Sequence, residues 1–286
     1  MKKWNLIVDV AKCFNCNNCA LAVHDEYHGN EHPGVAAEMP RQGHRWIDVL
    51  QRERGVFPMV DVVSMPVTCN HCDDAPCLKA AKNGAVVKRP DGIVLIVPEK
   101  AKGQRQLVEA CPYGAIWWNE ELQLPQAWPF DAHLLDSGWT KTRGAQVCPT
   151  QAMRSVCVED AEMARIVAEE GLEVPHPEYG TKPRVYYKNL DRWRKAFVGG
   201  SVAGNVDGVE ECLADIRVDL TKDGRSVGTA VTDTYGDFRI DGLPENSGRY
   251  RVEIADKRFG SRVLDVDLGE STYLGTILLS GAESRP

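Results

Sequence analysis

The chain has 286 residues, with 34 Lys and Arg against 41 Asp and Glu, a formal charge of −7, and 10 cysteines. No run of Lys and Arg forms a basic stripe, which argues against nucleic acid as a partner, and no apolar stretch approaches the ~20 residues of a membrane helix. The length predicts two domains, each able to bury a core.

The opening MKKWNLIVDV has neither an apolar signal core nor twin arginines, so a cytoplasmic protein is expected, in a compartment where structural disulfides are rare. Cys13, Cys16 and Cys19 then form a C-x2-C-x2-C run, and Cys69, Cys72 and Cys77 a second triplet with two extra residues before its last cysteine. Two Cys-Pro pairs follow, Cys111-Pro112 in CPYGA and Cys148-Pro149 in CPTQA, and their likeness predicts an internal pseudo-twofold repeat. A cubane cluster needs four thiolates, and bacterial ferredoxins take three from such a run and the fourth from a remote Cys-Pro. The eight cysteines therefore predict two [4Fe-4S] clusters, and spacing alone leaves open which Cys-Pro completes which triplet. Zinc is the competing reading, but it prefers paired C-x2-C knuckles with a Cys or His remainder. Cys157 and Cys212 stand outside both sets and read as small buried hydrophobes.

Between the triplets lie His24, Asp25, Glu26, His28, His32 and His44, which together tempt a second-metal reading. Apart from His24 and His28 the group lacks an i, i+4 histidine pair flanked by a helix signal, so the segment, with Arg41, Arg45 and Trp46, is expected instead to pack on a partner. Further on, EDAEMARIVAEEGL reads as a helix stopped by Gly171 and then Pro175 and Pro177, and GTKPRVYYKNLDRWRKAF reads as a connector wrapped on the first domain. From Val198 the pattern changes to period two, with DIRVDL, FRIDGL, YRVEIA and SRVLDVDL as strands and turns at Lys222-Asp223-Gly224, Tyr235-Gly236-Asp237 and Asp241-Gly242.

The expected class is α+β: a ferredoxin-like domain over 1–157, a helix and connector over 158–197, an all-β sandwich over 198–280 and a tail over 281–286. The order of strands and turns from Gly204 onward resembles the carboxypeptidase regulatory-like, transthyretin-like domains. That resemblance implies a docking or binding module without chemistry of its own.

The segments VDVAKCFNCNNCALAVHDEYHGNEHPG, GHRW with RERGVFP, CNHCDDAPC, NGAV with RPDGIVLIVPEKAKG, CPYGAIWWNEE, AHLLD and GTKPRVYYKNL lie between Val8 and Leu190. They resemble the iron–sulfur subunits of the molybdopterin (DMSO-reductase family) oxidoreductases, above all the transhydroxylase and resorcinol-hydroxylase group. The resemblance implies an electron-transfer subunit with no catalytic residue of its own. Its partner would be a large subunit carrying molybdopterin guanine dinucleotide with molybdenum or tungsten, in a heterodimer or multiples of it. The complex would transfer or add hydroxyl groups on phenols such as pyrogallol, phloroglucinol or resorcinol. A reductive dehydroxylase or other reductase subunit, and a free-standing ferredoxin-like carrier with a β-sandwich docking domain, are the alternatives.

The family pattern has sixteen ligand positions, and here half are empty: Val23, Ala81, Ala101, Gln104, Leu107, Trp128, Asp131 and Gly144. The resemblance implies a nested pairing, Cys13, Cys16, Cys19 with Cys148 and Cys69, Cys72, Cys77 with Cys111. The empty positions then fall into two whole sets, Val23 with Trp128, Asp131 and Gly144, and Ala81 with Ala101, Gln104 and Leu107. Trp128 and Phe130 are expected to fill one vacated space, because an interior void is destabilising. Trp117 and Trp118 are expected near the Cys69 set. By the family's cluster order a middle link of the electron path is missing, which implies local exchange at the Cys13 set, a structural or slow Cys69 set, and a lean toward redox-neutral hydroxyl transfer.

Overall fold

A computed structural model describes residues 1–279, and the expected tail at 281–286 lies outside the described residues. Contacts divide the chain into two compact units, one built from Met1–Gln51 and Ser64–Leu190, the other from Arg52–Val63 and the chain from Asp191 onward.

The first unit is organised on β1 (Lys3–Asp9), whose run Leu6, Ile7, Val8 is buried on both faces as a central strand requires. After α1 (Asn18–Tyr27) comes a hairpin, β2 (Ile47–Val56) and β3 (Met59–Thr68), whose base belongs to this unit and whose tip is counted in the other. Short elements follow: α2 (Pro76–Ala80), β4 (Val86–Lys88), β5 (Val94–Ile96), α3 (Pro98–Ala101), α4 (Gln106–Glu109), β6 (Trp117–Asn119), β7 (Leu124–Gln126), α5 (Ala132–Asp136) and α6 (Arg143–Val147). β8 (Met153–Val158) pairs antiparallel with β1, while β9 (Val185–Lys188) pairs parallel on its other edge. α7 (Asp160–Glu170) lies in the connection that carries the chain from β8, on one edge of β1, to β9 on the other. Asp160 and Glu162 sit in its first turn, where the helix dipole favours them, and Gly171 ends it at φ 62 in a left-handed cap. Ile7, Met163 and Leu172 form the small core between sheet and helix.

The segment expected at 158–197 as helix and connector is thus shared. α7 and β9 lie in the first unit, and α8 (Asp191–Arg194) with the start of β10 (Ala196–Val206) lies in the second. β11 (Val209–Cys212), β12 (Arg217–Lys222), β13 (Arg225–Val231), β14 (Asp237–Leu243), β15 (Gly248–Asp256), β16 (Gly260–Leu268) and β17 (Thr272–Leu279) complete it. They form two four-stranded sheets, one with β10 paired to β11, β14 and β17, the other in the order β13-β12-β15-β16. Both contribute to one apolar core, Val202, Phe238 and Ile277 from the first and Val218, Val252 and Leu268 from the second. The expected strands at DIRVDL, FRIDGL, YRVEIA and SRVLDVDL are β12, β14, β15 and β16. Asp223-Gly224, with φ 49 and 73, is the two-residue turn that a right-twisted hairpin favours. Asp241-Gly242 differs from expectation: it lies inside β14, where Gly242 at φ 82 accompanies a register shift opposite Ala196 and Val198, a bulge rather than a turn.

Candidate iron–sulfur centres

All ten cysteines are free thiols. The first set sits where the loop after β1 enters α1. Asn15, between Cys13 and Cys16, has φ 61, a conformation in which Asn is several-fold enriched, and its amide donates to the Cys13 sulfur. His71 holds the same place between Cys69 and Cys72, at φ 45, with its amide on the Cys69 sulfur. The two Cys-Pro loops match as well: Gly114 N–H donates to Cys111 O at 3.1 Å and Gln151 N–H to Cys148 O at 3.2 Å, both turns carrying a left-handed residue, at φ 63 and 55.

Cys19 lies within electrostatic reach of Cys13, Cys16 and Cys148. Cys69, Cys72, Cys77 and Cys111 line one apolar cavity together with His71, Val94, Pro112 and Ile116. Burial pushes the Cys19 thiol up to about 12 and the Cys77 thiol up to about 11, with neighbouring cysteines adding to the rise, and raises Cys13, Cys69 and Cys72 likewise. Thiols so crowded ionise only against strong positive charge, which iron would supply, and loading releases their protons.

The donor spacing separates iron–sulfur from zinc. Zinc bonds of ~2.3 Å would hold tetrahedral sulfurs about 3.8 Å apart. Among the described residues, the trio of His, Cys, Asp or Glu ligand atoms lying within 4.8 Å of one another is Glu26, His32 and His133, and it contains no cysteine. Neither cysteine set closes on a single ion, and the Cys69 set instead lines a cavity, as a larger, sulfur-bridged group would require. His71 fits the same reading. Burial lowers its pKa to about 3, so it is neutral; Nδ1 accepts from Val94 N–H at 3.1 Å, and Nε2 is left buried without a partner. The chemistry such a group supplies when bound is one-electron storage and transfer.

The second set is gripped by the segment before β9. Asp73 N–H and Asp74 N–H donate to the carbonyls of Lys182 and Thr181 at 2.9 and 3.0 Å, and Arg184 N–H donates to Asn70 O at 2.9 Å. The buried Arg184 guanidinium donates to both oxygens of Asp73, at 2.7 and 2.5 Å, to Asn5 and to Asp160. Lys88 reaches the carbonyls of His71, Cys72 and Gly92. A Cβ on Gly92, whose φ is 90, would stand 2.9 Å from the Arg184 side chain, so the turn there must be glycine. The segment GTKPRVYYKNL is therefore a clamp on the cysteine loop.

The positions that the resemblance implies to be vacated are occupied by packed side chains. Trp128, Phe130 and Asp131 are fully buried. Asp131 accepts from Tyr27 O–H at 2.9 Å, Trp128 Nε1–H at 2.8 Å and Arg143 N–H at 2.7 Å, and a Cβ on Gly144 would meet Ile47 and Cys19 within 3.3 Å. In the other space Leu107 packs against Cys72, Ala75, Val86 and Val94, while Gln104 caps the backbone of Lys82 and Lys100.

The remaining candidates make separate contacts, although the His24 and His28 rings stack with centroids 5.2 Å apart. His24 contacts Arg41 O, His28 contacts Met39 O, and His44 contacts Trp118 O. Only Glu26 and His32 of that group converge, and they do so on His133, which sequence reasoning placed in no site because it lies 107 residues from Glu26. Of the expected tryptophans, Trp117 lines a cleft with Asn70, Pro112, Tyr113 and Gly114, beside the Cys69 set, while Ile116 lines the Cys69 cavity itself. Trp118, the next residue on β6 and so on its opposite face, stacks under Arg105. Cys157 is partly buried and Cys212 exposed, so the expected burial fails outright for Cys212.

Fold and cysteine sets define a protein of the dicluster ferredoxin class, and residues 60–158 match the family described as a 4Fe-4S dicluster domain. The chain is 44% identical over 283 residues, 98% of its length and 100% of the relative's, to the pyrogallol hydroxytransferase small subunit of Pelobacter acidigallici. It is 30% identical over 152 residues to the arsenate respiratory reductase iron–sulfur subunit of Shewanella sp., covering 51% of this chain and 60% of that one. It is 28% identical over 193 residues to a tetrathionate reductase subunit of Salmonella typhimurium, covering 66% and 73%. The chain belongs to the family of iron–sulfur small subunits of molybdopterin oxidoreductases to which the pyrogallol hydroxytransferase small subunit also belongs, and it is not catalytic alone.

Proposed function

We propose that this chain is the two-cluster electron-transfer subunit of a molybdenum or tungsten bis-pterin enzyme that transfers hydroxyl groups between polyhydroxylated aromatics. Cys13, Cys16, Cys19 and Cys148 hold one [4Fe-4S] cluster, and Cys69, Cys72, Cys77 and Cys111 hold the other. The observation that carries this reading is the pairing of two complete cysteine sets with two vacated spaces, each occupied by packed side chains. Matching left-handed residues at Asn15 and His71, and at Gly114 and Gln151, support a pseudo-twofold arrangement of the two sets. The two facing sheets support a transthyretin-like docking module. The free cysteines favour a reducing, cytoplasmic setting.

The two sets differ in access. Cys16 is exposed, and Phe14 and Leu21 beside it are 60% and 65% exposed, an apolar rim suited to a large partner. Cys72 is buried, and the clamp covers its loop. Exchange with the catalytic subunit therefore belongs to the Cys13 set, and the Cys69 set serves the fold or a slower reservoir. Co-expression with the adjoining large subunit tests the reading. Conversion of pyrogallol to phloroglucinol without an external electron acceptor is the expected result, and turnover that depends strictly on an acceptor or donor would replace it with a hydroxylase or reductase.

A further inference from the structure

Glu26 on α1, His32 in the loop beyond it and His133 on α5 bring their ligand atoms within 4.8 Å of one another. His133 Nε2 lies 2.9 Å from Glu26 Oε1, while Arg143 Nε lies 3.2 Å from Glu26 Oε2. The rings of His32 and His133 stack with centroids 3.7 Å apart, so one ring must turn out of the stack for both nitrogens to face a single ion, and the Tyr27 ring meets each near a right angle. Tyr27 is itself fixed, because its hydroxyl donates to the buried Asp131, and His133 Nδ1 lies 3.5 Å from that hydroxyl. His32 Nε2 makes only a long 3.3 Å contact with the Glu26 carbonyl, readily given up. The side chains of Glu26 and His133 keep 20% and 16% exposure, so an ion can enter.

From this we infer that Glu26, His32 and His133 form a mononuclear site for a divalent transition-metal ion of the zinc class, separate from both cysteine sets. Two imidazoles and one carboxylate oxygen are the three-ligand N/O set that zinc takes with a fourth position left for water. Calcium and magnesium require six or more ligands, nearly all oxygen, which this trio lacks. Arg143 neutralises one carboxylate oxygen and leaves Oε1 to bind through a single atom. Tyr27 and Asp131 act behind the ligands, holding the His133 ring and the floor of the site, as outer partners of metal-bound histidine do. The site lies beside Asp131, which the Tyr27 hydroxyl links to His133.

The test uses the iron-loaded full chain with its large subunit, stripped of loose metal by chelation and titrated anaerobically with zinc. The expected result is one zinc per chain, with X-ray absorption at the zinc edge showing only N/O neighbours and imidazole back-scattering. His32→Gln and His133→Gln are each expected to weaken binding about tenfold or more, on the scale seen when metal sites lose a supporting group, with the iron content unchanged. The pair His24→Gln/His28→Gln is expected to leave binding intact. Sulfur neighbours at zinc, affinity indifferent to His32→Gln and His133→Gln, or no zinc retained at micromolar concentration would overturn the proposal and leave Glu26 and His133 as an ion pair. If His133→Gln loses iron, His32→Gln still decides the matter, since His32 lies outside the Asp131 network.

Discussion

Asn15 and His71 occupy equivalent places in two loops that share little sequence, and both turn through the left-handed region to bring an amide onto a cysteine sulfur. The proposed pairing of each triplet with one particular remote cysteine can be tested by non-additivity. The variant Cys13→Ala/Cys148→Ala removes two ligands from one set and is expected to keep about four of the roughly eight irons of two four-iron clusters. Cys13→Ala/Cys111→Ala removes one ligand from each set and is expected to damage both clusters; iron and acid-labile sulfide analysis with electron paramagnetic resonance reads the difference. Intact signal from one cluster in the second variant would mean that the nested pairing is wrong. The eight cysteines were legible in the sequence because their spacing is a local constraint. Tyr27, Asp131 and His133 were not, because their meeting depends on α1 and α5 approaching across more than a hundred residues of chain.

At the scale of elements, the segment before β9 reads in sequence as a connector, yet it anchors the Cys69 loop through Arg184. Arg184 is buried, while its partner Asp73 is partly exposed. Breaking a buried pair costs about 3–5 kcal/mol, and the exposure of Asp73 puts this one at the low end. Arg184→Met is therefore expected to lose the Cys69 cluster first, seen as selective loss of one resonance on mild heating, with Arg184→Lys intermediate because lysine cannot bridge both oxygens. A second buried arginine, Arg54 in the hairpin tip, hydrogen-bonds Asp61 and Asp241, the latter on β14. Burial pushes both carboxyls up, but the hydrogen bonds from Arg54, joined at Asp61 by Arg192, overcome it and hold them below the usual range. Their stabilisation is complete above the ordinary carboxylate value, about 4, and is lost as pH falls through the lower folded values. Hydrogen exchange in the full chain is expected to show β14 amides losing protection below about pH 4, and Arg54→Met is expected to forfeit that protection already at neutral pH. Strands β12, β14, β15 and β16 were legible from their alternation. β10 falls at the start of the region read as period two from Val198 but was not named as a strand, because Val198, Val202 and Ala203 are buried along with its glycines and the alternation fails there.

At the scale of the whole molecule, function depends on where electrons can enter and leave. The Cys13 set includes the exposed Cys16 beside apolar side chains, whereas no cysteine of the Cys69 set is exposed, and on the proposed reading the catalytic partner docks at the first. Phe14 and Leu21 flank Cys16 without belonging to either ligand set, so changing them alters docking while leaving the thiols in place. Phe14→Asp/Leu21→Asp places two charges on a surface that association must desolvate, and an unpaired buried charge is costly. Weaker capture of the large subunit by about tenfold or more is expected, since 1.4 kcal/mol already gives that factor, with iron content held at the wild-type value. The same variant separates two roles for the Cys13 set. If the set only staples the fold, enzyme assembled at saturating subunit concentration turns over normally. If electrons pass there during turnover, the misaligned complex shows a lowered kcat even when fully assembled, because tunnelling depends on the approach of the two surfaces rather than on occupancy.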